Sequence, residues 1–307
     1  MKMLRVYQEF AETELAMPVI PGKKTENEKF PGAVDTFTIE AMLSDGKALQ
    51  AGTSHDLGQH FSKMFDIIFE DEDQVRKHVW QTSWGVSTRL VGGLIMTHGD
   101  ENGLVLPPRV APIQLVIVPI FKQDSKETVL QKARELAAQL KPIARVHIDD
   151  REQYSPGWKF NQWEMKGVPL RLEIGPKDMD NNQCVVARRD NREKEIIPLD
   201  SLLNRVADLL TTVQKDMLER ARVYRDENTR TVADFAEFTK VIEDQRGFIK
   251  TNWCGDSECE TKIKEQTKAT IRCSPLQDDN TLAPAPAGNC IHCGSQAKHE
   301  VLFARSY

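Results

Sequence analysis

The chain opens with Leu4, Tyr7, Phe10 and Leu15 near helical spacing, a pattern that predicts an amphipathic helix. Thr36 to Leu43 alternates and carries β-branched residues, which predicts a strand, and Phe61, Met64, Phe65 and Ile68 then recur at helical spacing. Between these segments Gln50 to Gln59 packs hydrogen-bonding side chains and two glycines, so neither an ordinary strand nor a core helix is expected there. Further on, Trp84 and Val86 alternate as a strand would. Gly85 and the Gly92-Gly93 pair permit close backbone approach, and Arg89 is placed to start a helix ahead of the apolar Leu94 to Met96.

The Pro107-Pro108 pair breaks regular structure and marks a boundary. Beyond it, Ile113 to Ile120 is a continuous apolar run, as a strand buried on both faces would be. Asp124 is a candidate N-cap with Glu127 three residues later, and Val129, Leu130, Ala133, Leu136, Ala137 and Leu140 form one helical stripe. Arg145 to Ile148, Pro169 to Ile174 and Gln183 to Arg188 predict further strands, and a long helix is expected from about Leu199 to Arg225. This alternation predicts an α/β domain with a mixed sheet. A third segment begins near Thr231 with the amphipathic set Phe235, Phe238, Val241 and Ile242, and its Ala- and Pro-rich stretch Thr281 to Gly288 reads as a loop. There is no internal repeat. The expected organisation is a multidomain α/β and α+β chain divided at 1–106, 107–228 and 229–307.

With 307 residues, 28% charged and 40% hydrophobic, the chain has the composition of a globular protein with room for two or three cores. It holds no apolar run of the length a membrane helix needs and no signal-peptide core, so the expected compartment is the cytoplasm and no membrane partner is expected. A net charge of -5 neither supports nor excludes RNA, because RNA meets one face and not the whole surface.

Two groups of residues carry chemistry by type and spacing. An arginine such as Arg89, placed after small polar residues, pairs with a phosphate or carboxylate or is simply a surface charge. Cysteines stand at 184, 254, 259, 273, 290 and 293, crowded toward the end, which in a chain without secretory features argues for metal over disulfides. Cys254 with Cys259, and Cys290 with Cys293, would supply the tetrahedral four-thiolate set of structural zinc. Cys273, His292 and His299 are competing ligands, and the alternative is reduced cysteines with no metal. Cys184, within a predicted strand, reads as a small core residue.

The blocks Gln50 to Gln59 and Ser83 to Arg89 together resemble the catalytic domain of the class II prolyl-tRNA synthetases, of the archaeal and eukaryotic type that some bacteria also carry. The resemblance continues through Gly99-Asp100, Gly103 to Pro112, Ser155 to Gly167 and the terminal Phe303 to Tyr307. It implies that residues 1–106 are the C-terminal part of an antiparallel-sheet catalytic domain, 107–228 an α/β anticodon-binding domain, and 229–307 a small α+β zinc-binding domain. It further implies that Arg89 binds the ATP γ-phosphate as the catalytic arginine, with Gln50, Thr53, Ser87 and Thr88 at the nucleotide, and that His55 and Trp84 line the proline pocket. The charged loop Gly22 to Pro31, a surface loop by composition, would lie beside that site. His60 and His98 are expected to be structural.

The reaction so implied, attack of the proline carboxylate on the α-phosphate with Mg2+ present, needs no general base. Glu164, Arg171 and Lys177 would read the anticodon of tRNA(Pro), with Lys194 as a contact to its backbone, although by residue type each is equally a solvated charge. A carboxylate such as Glu164 matches the adjacent donors on guanine, and proline anticodons end in two guanines. Trp158 and Trp163 could stack on nucleotides, or form core. The family pattern selects Cys254, Cys259, Cys290 and Cys293 for Zn2+ and brings Tyr307 back toward the catalytic domain; no DNA partner is implied.

Of the three class II motifs, only the third is present. The Arg-x-Glu hairpin, the Thr-x-Glu segment that grips the proline imino group and the dimer-forming first motif are all expected ahead of residue 1. The expectation is therefore a truncated record in which Met1 is an internal methionine, inactive alone, from a parent that is a homodimer. The competing reading is a non-catalytic tRNA-binding or regulatory module derived from the synthetase.

Overall fold

The computed structural model describes residues 1–307, which divide into two compact units. The first unit takes Met1–Thr13, Met17–Thr97 and Arg222–Tyr307, and the second takes Glu14–Ala16 and His98–Ala221. No helix is long and apolar enough to cross a membrane.

The first unit is built on one eight-stranded sheet. Four of its strands come from the end of the chain: Thr229–Thr231, Phe248–Trp253, His299–Ala304 and Thr270–Pro275. They are followed in space by Val19–Lys23, Asp35–Met42, Ala48–Gly58 and Gln81–Gly85. Residues 1–106 and 229–307, set apart by composition, thus contribute neighbouring strands to one sheet. The seam is antiparallel, with Gly22 opposite Pro275 and Lys23 opposite Ser274. A side chain at position 22 has no space, because a Cβ there would lie 2.3 Å from Cys273 Sγ and 2.9 Å from the Ser274 carbonyl oxygen. Ile20, Met42 and Ala48 pack with Phe248, Cys273, Leu302 and Ala304 into a shared core across the seam.

Charge crosses the seam as well. Glu40, fully buried on its strand, accepts from Lys24 Nζ at 3.0 Å, Thr38 Oγ1 at 2.8 Å and Arg272 Nε at 2.9 Å. All three charged residues are excluded from solvent, so each depends on the others for neutralisation.

Three sequence expectations are corrected here. Gln50 to Gln59 is not irregular: Ala48–Gly58 is an eleven-residue strand paired on both edges. Its polarity arises because one face of the sheet looks into a polar site. The apparent stripe Phe61, Met64, Phe65, Ile68 does not form one helix; His60–Met64 is a short helix, Asp66 turns the backbone left-handed (φ 51), and Ile68 begins the hairpin Ile68–Glu70 with Arg76–His78. In the first helix, Lys2–Thr13, the buried set is Leu4, Tyr7 and Ala11. Phe10 points outward, about a quarter of a turn off that stripe, and Leu15 lies beyond the helix end.

The second unit holds a mixed five-stranded sheet in the order Lys194–Pro198, Gln183–Arg188, Leu170–Ile174, Leu115–Pro119, Val146–Ile148. Leu115–Pro119 runs parallel to both of its neighbours and is buried throughout, as its unbroken apolar run requires. On one face Leu115 and Ile117 meet the stripe of helix Lys126–Leu140 and the long helix Leu202–Glu227. On the other, Val116 and Val118 meet Trp163 of helix Pro156–Met165. The cap of the 126–140 helix falls on Ser125, one residue past the expected Asp124. The strand Lys194–Pro198 has no apolar alternation to announce it, because it is an edge strand exposing Lys194 and Ile196.

Glu40→Ala is expected to lower the stability of the first unit in urea denaturation by about 3–5 kcal/mol, since it strands two buried cations. A loss below about 1 kcal/mol would show that Lys24 and Arg272 reach solvent or other partners.

Candidate functional site

The register of the first sheet decides which side chains share a face. Thr36 pairs with His55 and Thr38 with Thr53, but Glu40 pairs with Gln50, because a bulge leaves Ala51 without a partner. Residues directly opposite in an antiparallel pair point the same way. Gln50, Thr53 and His55 therefore lie on one face with Thr36, Thr38 and Glu40, although 50 and 53 would diverge in a regular strand. On the next strand Gly85 stands opposite Thr53 and Ser83 opposite His55, so both join this face.

Trp84 pairs with Ser54 and projects from the other face, where its ring lies 6.3 Å from that of Tyr7. His55 and Trp84, expected in one pocket, are thus separated by the sheet. Against His55 the structure brings Phe30, at 4.9 Å between ring centroids. Thr36 Oγ1 accepts from the Phe30 amide at 3.0 Å and lies 3.0 Å from His55 Nδ1. The hydroxyl, with one proton and a second lone pair still to use, can pair with either tautomer of the ring. Burial lowers the His55 pKa, so the neutral ring prevails at neutral pH.

Ser87, Thr88 and Arg89 connect the last strand to helix Arg89–His98. Ser87 Oγ accepts from the Arg89 amide at 3.3 Å and the carbonyls of Ser87 and Thr88 accept the next helical amides, which fixes the start of the helix. Gly93 seats that helix: a Cβ there would meet Leu49 Cδ2 at 2.6 Å. Gly85 and Gly92 face open space. The Arg89 side chain is exposed and joins no ion pair of the protein, so its guanidinium is available to an anion from outside.

Near the end of the chain, the Sγ atoms of Cys254, Cys259, Cys290 and Cys293 lie within 4.8 Å of one another. Cys259 and Cys290 are 3.7 Å apart, close to the edge of about 3.8 Å of a sulfur tetrahedron built on a metal–sulfur bond of about 2.3 Å. Burial and the neighbouring sulfurs raise the thiol pKa of Cys259, a cost to four thiolates that a divalent cation removes. The donor set therefore fits Zn2+. Of the competing residues, Cys273 is buried at the seam, and His292 Nδ1 comes within 3.5 Å of Cys259 Sγ. The backbone of this site is held by Asp256, which caps helix Ser257–Thr267 by accepting from the Cys259 amide.

In the second unit a cavity of about 200 Å³ is lined by Trp163, Glu164, Arg171, Arg188, Arg189, Arg192 and Lys194, among others. Arg171 donates to Glu173 at 2.9 Å and lies over the Phe160 ring at 4.1 Å, and Lys194 reaches the same carboxylate at 3.1 Å. Glu164 has a single cationic neighbour, Arg192, at 3.8 Å. Arg189 makes a forked pair with Asp100 at 2.8 and 2.6 Å and donates to the Glu164 carbonyl at 2.8 Å, fixing the backbone beneath that carboxylate. These Arg189 bonds outweigh burial and hold Asp100 well below the usual carboxylate range. Of the expected anticodon residues the cavity gathers Glu164, Arg171 and Lys194. Lys177, exposed on helix Pro176–Asp180, is not part of its wall. Arg188, Arg189 and Arg192 went unnoticed in the sequence, where the Arg188-Arg189 doublet at a strand end was the available signal.

Residues 114–209 match the family described as anticodon binding domain, and residues 235–307 the family described as prolyl-tRNA synthetase, C-terminal. A protein named proline--tRNA ligase from Natranaerobius thermophilus is 52% identical over 309 residues, covering 100% of this chain and 63% of its own length. Proline--tRNA ligase 2 from Clostridioides difficile is 53% identical over 307 residues, covering 100% of this chain and 62% of its own. The chain thus spans less than two thirds of the relatives it matches. Two stretches of the chain thus match an anticodon binding domain and a prolyl-tRNA synthetase C-terminal family, in a sequence about half identical throughout to bacterial proteins named proline--tRNA ligase.

Proposed function

We propose that this chain belongs to a cytoplasmic proline--tRNA ligase that activates proline with ATP and Mg2+ and transfers it to tRNA(Pro), of the archaeal and eukaryotic type, in a homodimeric parent. The relatives' shared name over the whole chain, at 52–53% identity, is the observation that carries this reading. In it, residues 1–106 serve the catalytic site, 107–228 the anticodon and 229–307 the zinc-binding end.

In this reading the proline carboxylate attacks the α-phosphorus of ATP, pyrophosphate leaves, and a hydroxyl of the tRNA terminus then takes the prolyl group from AMP. Gln50 and Thr53, brought to one face by the bulge, meet the nucleotide. Arg89, already free of internal partners, neutralises the γ-phosphate, with Ser87 and Thr88 beside it. Neutral His55 lies at the proline pocket, with Phe30 as its aromatic wall. Trp84, expected in the same pocket, projects from the other face of the sheet toward Tyr7.

Glu164 accepts from the guanine edge, and Arg171 and Lys194, oriented by Glu173, hold the RNA backbone or base acceptors. Lys177 contributes from outside the cavity. The four cysteines bind Zn2+ as a structural site with no open position.

Two measurements test these assignments. Metal analysis of the purified chain should find about one zinc per chain, lost together with thermal stability when Cys254 and Cys293 are replaced by serine; a metal-free parent chain would refute the site. The chain should bind tRNA(Pro) about tenfold or more tighter than the same tRNA with an anticodon guanine changed to adenine, and Glu164→Ala should erase that difference. Equal binding of both RNAs by the parent chain would sink the anticodon reading.

A further inference from the structure

Outside the cavity, the second unit carries a pair of aromatic rings, one of them Trp158, which the sequence offers as a stacking surface or as core. Tyr154 and Trp158 are stacked at 3.7 Å between centroids with planes 8° apart, and Trp158 remains 41% exposed. The Arg151 guanidinium carbon lies 5.0 Å from the tyrosine centroid and 5.4 Å from that of the tryptophan. Nearly equal distances to two stacked rings place the cation beside the stack, not on top of it. Tyr154 covers one face of the indole, and no second ring stacks on the other.

The pair is held in place. Arg151 makes a forked pair with Asp149 at 2.8 and 2.7 Å and also donates to Gln162. Asp149 is buried, and it accepts from Trp163 Nε1 at 2.8 Å while its carbonyl takes the Lys159 ammonium at 3.0 Å. Ser155 Oγ accepts from the Trp158 amide at 3.3 Å and fixes the first turn of the helix. Through Asp149 the ledge is tied to Trp163, a wall of the basic cavity. A rigid apolar plane at the surface, backed by a second ring and braced by a buried carboxylate, is suited to stacking and costs little ordering on contact.

Charge names the occupant. The cavity wall offers five basic side chains and one carboxylate, the surroundings expected for an anionic chain with polar ring edges. On helix Pro156–Met165, Trp158 and Glu164 are six residues apart, about 9 Å along the axis, one on each flank of the buried Lys159–Trp163 stripe. A strand whose base edge enters the cavity would carry a neighbouring base across the exposed side of this helix to the ledge.

We propose that the open face of Trp158, backed by Tyr154, is a stacking site for an unpaired nucleobase of the RNA whose adjacent base edge is read at Glu164. The inference rests on the reading of the cavity as an RNA site. Stacking tolerates any base, so the ledge contributes affinity and register while discrimination stays with Glu164.

The test uses the full chain and an anticodon stem-loop of tRNA(Pro), with 2-aminopurine placed at one loop position at a time. Fluorescence should be quenched on binding at a position next to the anticodon guanines. Trp158→Ala should weaken binding about tenfold, with the guanine-over-adenine ratio and the salt slope preserved, and Trp158→Phe should recover most of the loss. Arg171→Ala, by contrast, should reduce the salt slope. If Trp158→Ala and Tyr154→Ala bind within about twofold of the parent while Arg171→Ala or Glu164→Ala is weakened, the ledge is wrong and the cavity reading stands. If none of the four variants alters binding, the cavity reading falls and the ledge with it. Circular dichroism of each variant separates loss of binding from loss of fold.

Discussion

One buried carboxylate ties the first unit together. Glu40 sits between Lys24, which follows the strand Val19–Lys23, and Arg272, more than two hundred residues later on Thr270–Pro275. The cluster need not add net stability to constrain the fold, because any arrangement that parts the three leaves a buried charge unpaired. Close packing acts in the same place, where Gly22 leaves just enough room for Cys273. Together they make the first and last segments a single sheet, and the face they neutralise is the one that carries Gln50, Thr53 and His55.

That arrangement explains how a site can be built from residues that look misplaced in the chain. The bulge at Ala51 turns Gln50 onto the face of Thr53 and His55, and the strand register turns Trp84 away from it. Arg89 stands at the start of a helix with no internal counter-charge, whereas most of the cavity arginines of the second unit are already engaged by carboxylates. Such engagement orders the side chains in advance and lowers the cost of binding a ligand. It also leaves Glu164, with one distant cationic neighbour, as the carboxylate most able to accept new donors.

Much of the second unit was legible because its signals are local. The apolar run at Leu115–Pro119 and the stripe from Val129 to Leu140 follow from burial on two faces and on one. The cysteine pairs were legible too, since their spacing encodes the bond geometry that brings the sulfurs together. What escaped depends on distant partners. Ala48–Gly58 looks too polar for a strand unless one knows that it lies inside a sheet with one face turned to a polar site. Phe61, Met64, Phe65 and Ile68 have helical spacing, but Asp66 breaks the backbone between them. Nor could any local pattern show that Glu40 would need Arg272, or that residues 1–106 and 229–307 would share a sheet.

The central claim is that this sheet is one cooperative body, and native-state hydrogen exchange of the intact chain tests it most directly. Amides of Asp35–Met42, Val19–Lys23 and Thr270–Pro275 should open together with a common free energy, and Glu40→Ala should lower all three by the same amount. Early exchange of Thr270–Pro275 while Asp35–Met42 stays protected would contradict it, showing two sheets that merely touch at the seam.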